Sequence, residues 1–189
     1  MAGNKKLSAL FTLFLSAAGA HAGGLSVIGP CSAEPVFESS FEIGGSSVSA
    51  GKVSEDVFAA AGVPYTGDGD GLLSIMDSPS GAAAVEVVSG SEMRVYGWCY
   101  AVNGSTPSVM PGAFFLHDNT ARVVWFYAYS AYKEGVWGDS CLPSYEVRPH
   151  QFCAATRAGA PLSGDIAPAL RPAGVLRGMP ALGAPVPRE

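Results

Sequence analysis

The chain has 189 residues, of which 48% are hydrophobic, 14% charged and 10% aromatic, with 24 Gly, 14 Pro and 4 Cys: room for one domain with extensions. Eleven Lys and Arg against sixteen Asp and Glu give a net charge of -5, which opposes phosphate backbones and excludes nucleic acid as an expected partner. Few charges and abundant Gly and Ser also exclude coiled coils and helical bundles and leave a β-rich domain.

Residues 1–22 read MAGNKKLSALFTLFLSAAGAHA. Lys5 and Lys6 precede an apolar run from Leu7 to Ala18, and Ala20-His21-Ala22 offers a small-x-small cleavage site, the three parts of a secretory signal. The run is well short of the ~20 residues of a membrane span. The expected product is secreted or periplasmic, with no membrane span after signal removal. Its charge is then uneven: residues 23–156 hold five basic against fourteen acidic residues.

The body begins with a strand over residues 35–43, entering a turn at Gly44-Gly45-Ser46, and a short strand over 47–50 is expected to complete a hairpin with it. Residues 52–61, KVSEDVFAAA, place Val53, Val57, Phe58 and Ala61 at helical spacing, with Gly62 and Pro64 as a stop. The Gly-Asp-Gly-Asp-Gly run at 67–71 predicts a loop, and its Asp68 and Asp70 supply too few oxygens for a calcium site, so a solvated turn is expected. Strands are predicted over 72–76 and 82–88.

Two long strands follow. In residues 93–102, Arg94, Tyr96, Trp98, Tyr100 and Val102 share one face, with Val95, Cys99 and Ala101 opposite. Asn103-Gly104 gives a tight turn. In residues 121–132, Val123, Trp125, Tyr127 and Tyr129 share a face, with Val124, Phe126 and Ala128 opposite. Such ladders pack sheets by themselves. These two carry more amphipathic rings than one small core face needs, so one face is taken as core and the other as a groove. Tyr96, Trp98, Tyr100, Asn103, Trp125 and Tyr127 are the expected ligand-binding residues.

Cys31, Cys99, Cys141 and Cys153 are even in number in an exported chain and read as two disulfides, with three pairings open. Cys141–Cys153, closing a short irregular segment, is favoured, which leaves Cys31 to Cys99. No C-x-x-C pair points to a metal. Residues 157–189 are rich in Pro and Gly and hold no aromatic, so a disordered tail is expected. Gly138-Asp139-Ser140 lacks the glycines and the upstream His of a protease nucleophile segment, and no HExxH, G-x-S-x-G or P-loop occurs. A non-catalytic protein without a cofactor is expected.

Gly97, Trp98, Tyr100, Val102, Asn103 and Gly104 spell G-W-x-Y-x-V-N-G, and HDNTARVVWFYA follows about twenty residues later. This pattern resembles the domain of unknown function family numbered 4430, related to the C-terminal domain of transcobalamin and intrinsic factor, over about residues 33–132. At Asp118-Asn119-Thr120-Ala121 the chain departs from the G-D-x-I of many members. The resemblance implies an α+β, β-grasp-like mixed sheet crossed by one helix, over residues 23–156, and soluble-ligand binding. In the vertebrate transporters this domain is a lid beside a helical domain that the chain lacks, so corrinoid binding does not carry over. The expected function is binding of a small molecule; the alternative is a structural or adaptor protein that holds a partner protein by its sheet face, sheet edge or tail.

Overall fold

The structure, a computed structural model, describes residues 22–153. The signal expected over 1–22, Ala22 excepted, and the tail expected over 157–189 lie outside the described residues. The described chain opens on the hairpin β1 (Gly23–Ile28) and β2 (Pro35–Phe41), and passes through β3 (Val48–Ser49) into helix α1 (Ala50–Ala61). A small meander follows: β4 (Tyr65–Asp68), β5 (Gly71–Ile75) and β6 (Ser78–Pro79). Then come β7 (Val85–Val87), the long β8 (Glu92–Val102), β9 (Phe115–Leu116) and the long β10 (Arg122–Lys133). The short β11 (Val136–Trp137), β12 (Leu142–Pro143) and the one-turn α2 (His150–Cys153) end it.

Alternation in the two long strands sets the register of the main sheet, whose order is β2-β1-β10-β8-β7, with β11 and β12 added to β10. β8 and β10 pair antiparallel from Glu92–Lys133 to Val102–Val123, so the ring-bearing residues face one way, as predicted. β1 lies parallel to β10, Leu25 beside Val123 and Val27 beside Trp125, which makes the sheet mixed. β1 was absent from the predicted elements, and it corrects a second expectation. Because β1 pairs along β2, the segment at 48–49 pairs with β9 instead, Val48 facing Leu116. The strand expected over 82–88 is shortened by a 3-10 turn at Gly81–Ala84.

Helix α1 starts two residues before its predicted position because Ser49 caps it, its hydroxyl accepting the Lys52 N–H at 3.1 Å. Gly62, at φ 67°, ends it by donating to Ala59 while Val63 donates to Phe58 at 2.9 Å. Val53, Val57 and Phe58 face the sheet, where the Phe58 ring stands edge-on to Phe37 at 5.9 Å. A Cβ on Gly51 would lie 1.9 Å from the Gly69 carbonyl oxygen, so the helix start and the β4–β5 turn meet backbone to backbone.

Residues 134–153 form a strap. β12 pairs with β10 at Ala128 and Tyr129, on the edge that β1 leaves after Phe126. Cys141 packs on the outer sheet face with Cys99 and Phe126, whereas Phe152 packs on the inner face against Tyr96 and Tyr127. Midway, the buried Ser144 hydroxyl donates to the Tyr127 carbonyl at 2.9 Å. The strap therefore passes from one face of the sheet to the other, and that crossing decides the cysteine pairing. The bonds are Cys99–Cys141 and Cys31–Cys153, not the favoured Cys141–Cys153 and Cys31–Cys99. Cys141 and Cys153 are close in sequence, but Cys141 packs on the outer face whereas Cys153 follows Phe152, which packs on the inner one.

Candidate functional site

Five of the six predicted ligand-binding residues come together in facing pairs: Trp98 beside Tyr127 and Tyr100 beside Trp125, with Tyr96 next in line. Trp98 and Tyr127 meet edge-on at 5.1 Å, Tyr96 and Tyr127 stack at 6.0 Å, and Tyr100 tilts on Trp125 at 5.7 Å. All five are buried, however, and the expected groove is closed. This face is the core.

What closes it is visible in the polar ends of the rings, since a buried indole N–H or phenol needs a partner. Trp98 donates to the Ser78 carbonyl at 2.8 Å and Tyr127 to the Pro79 carbonyl at 2.6 Å, which fixes β6 over the ladder. Tyr100 donates to the Val109 carbonyl at 2.7 Å and so holds the loop after β8. Trp125 donates to the Ser54 hydroxyl at 2.8 Å, and Ser54 in turn donates to Ala50, which ties α1 down. Burial lifts the Tyr100 phenol to about 12 and the Tyr127 phenol further. Tyr96 is also raised well above the ordinary range, by burial first and by its hydrogen bond to Glu86 second.

Asn103 stands apart from the rings, at a tight turn with φ 50° where Gly104 follows at φ 80°. Its side-chain oxygen accepts the Arg122 N–H at 2.8 Å and its own N–H donates to the Arg122 carbonyl at 2.9 Å, so its acceptor serves the turn. Asp68 and Asp70 lie in the β4–β5 turn, where the Asp68 carboxylate accepts the Asp70 N–H at 3.0 Å. At the β7 side of the sheet, Arg94 pairs with Glu92 at 3.4 Å and Glu86 at 3.7 Å and lies 5.6 Å from the Tyr129 ring. Glu86 also accepts the His150 N–H at 3.3 Å, which joins this edge to α2.

The opposite edge of the sheet is open. β2 pairs with β1 on one side, and among the described residues no strand pairs with its other side. Its inward side chains are Phe37, Ser39 and Phe41; Val36, Glu38 and Ser40 face out, and Val36 is 55% exposed. Glu34 and Glu42, on either side of the strand, are exposed like Glu38, and none of the three carboxylates has an ion-pair partner among the described residues. Sequence reasoning missed this site because it gave β2 the wrong neighbour. The signal available was the alternation of Leu25 and Val27, the mark of a second strand on the other side of the Cys31 loop.

No family model, curated protein or solved structure matches the chain. Two disulfides and no helix long and apolar enough to cross a membrane, among the described residues, are compatible with a location outside the cytoplasm.

Proposed function

We propose that the protein is an exported, non-catalytic binding domain whose ligand is an extended segment of a partner protein, held along the open edge of β2. The observation that carries this reading is the edge itself: among the described residues, a seven-residue strand with one unpaired side, an outward Val36 and three carboxylates without an ion-pair partner. Unpaired strand edges accept an added strand through main-chain hydrogen bonds, and side chains at alternate positions give selectivity. A partner segment with Lys or Arg among apolar residues complements this edge.

The β-grasp reading belongs to the same proposal. Support for it comes from the element order, a β1–β2 hairpin, then a helix packed on one sheet face, then β10 returning parallel to β1 in the middle of the sheet. The kinship with the transcobalamin-related family rests on the Gly97–Gly104 pattern, which falls on the end of β8 and its turn as the family pattern implies. Binding of a small planar ligand, the other function expected from sequence, has no open aromatic platform in the ladder residues to rest on.

The test is titration of the mature oxidised protein with a synthetic seven-residue peptide alternating Val and Lys. Binding at about micromolar Kd, roughly 8 kcal/mol, weakened by salt and lost in Glu38→Lys, is the expected result. An unaltered affinity in Glu38→Lys, or quenching of Trp fluorescence by a corrinoid at nanomolar Kd, overturns the reading.

A further inference from the structure

The strap ends where the open edge begins. Cys153, the last described residue, is bonded to Cys31 with Cα atoms 5.4 Å apart, and Cys31 comes four residues before β2. The chain beyond Cys153 therefore sets out from the Pro35 end of the edge strand. It carries Arg157, Arg171, Arg177 and Arg188 against Asp165 and Glu189, opposite in sign to Glu34, Glu38 and Glu42. Proline interrupts most of it and cannot donate to a ladder. Residues 173–179, AGVLRGM, are a Pro-free run between Pro172 and Pro180 and have the same length as β2. Val175 and Arg177 are two residues apart, as are Val36 and Glu38, so in a strand each pair shares one face.

We propose that residues 173–179 add to the free edge of β2 in the same molecule, running parallel to it with Val175 against Val36 and Arg177 against Glu38. The chain's own tail is then the resident occupant of the edge, and a partner segment must displace it. This rests on the reading of β2 as the partner site. Reach does not limit it, because the intervening nineteen residues span up to roughly 70 Å when extended and β2 is only about 23 Å long. A tether of this kind holds the segment at about millimolar effective concentration. An intrinsic Kd of about 0.1 mM then keeps the edge roughly nine-tenths filled.

The experiment is hydrogen exchange of the β2 amides in the full mature oxidised chain, compared with Arg177→Glu and with the charge swap Glu38→Arg/Arg177→Glu. Arg177→Glu should speed exchange of the outward-facing β2 amides about tenfold, and the swap should restore most of the protection. It should also tighten binding of the Val/Lys peptide about tenfold, because the competitor is gone. Equal exchange and equal peptide affinity in wild type and Arg177→Glu overturn the tail's role while leaving the partner site standing. Protection that responds to Arg177→Glu when no form binds the peptide supports the docked tail and removes the partner reading instead. Protection that grows with protein concentration overturns the same-molecule arrangement and assigns the edge to the tail of a second copy.

Discussion

Trp98 and Tyr127 meet face to edge and send their polar atoms to two consecutive carbonyls, those of Ser78 and Pro79. A ring used in this way cannot be trimmed cheaply. Trp98→Ala removes a buried aromatic and leaves a carbonyl without its donor, so it should destabilise by at least the ~3 to 5 kcal/mol typical of a buried Phe or Trp truncation. Phe126→Ala, on the outer face, should cost no more than that. Urea midpoints for the two variants check the order, and a Trp98→Ala protein more stable than Phe126→Ala contradicts the closed ladder. The phenols give a second test. Tyr96, Tyr100 and Tyr127 hold their protons more tightly in the fold than in the unfolded chain. Their contribution is therefore complete below about pH 10 and is lost as pH rises through the folded value of about 12 at Tyr100. Denaturant midpoints should fall over that window; a flat profile contradicts the buried assignment.

At the level of elements, close backbone packing decides the sign of a substitution that propensity alone gets wrong. Alanine is favoured over glycine inside a helix by ~1 kcal/mol, yet a Cβ on Gly51 would sit 1.9 Å from the Gly69 oxygen. Gly51→Ala should therefore destabilise the protein, by about 1 to 3 kcal/mol as overpacking does. A raised thermal midpoint would show that the β4–β5 turn yields freely. The same contrast between local and distant causes explains what the sequence revealed. β8, β10 and the body of α1 were legible because their patterns are complete within a dozen residues. Burial of the ladder was not, because it depends on Ser54, Ser78, Pro79, Val109 and Phe152, each brought from elsewhere in the chain. The cysteine pairing failed for a related reason: the strap's crossing of the sheet separates Cys141 from Cys153, and nothing local in the sequence marks it.

For the molecule as a whole, the Cys31–Cys153 bond sets the path that a pulling force would take. A load applied between Gly23 and Cys153 enters at β1 and leaves through the disulfide, so that everything between the two cysteines is bypassed. Only the nine residues from Gly23 to Cys31 can pay out, a contour length of about 30 Å, of which the already extended β1 releases little. They must first shear β1 lengthwise from β2 and β10, which loads its main-chain hydrogen bonds together rather than one at a time. Single-molecule stretching should show that one short step under oxidising conditions and, after reduction, lengthening of roughly 400 Å. An oxidised chain that lengthens by hundreds of ångströms would place the covalent closure elsewhere. Held at Gly23 and Cys153, the oxidised domain is a short inextensible link with its acidic β2 edge alongside.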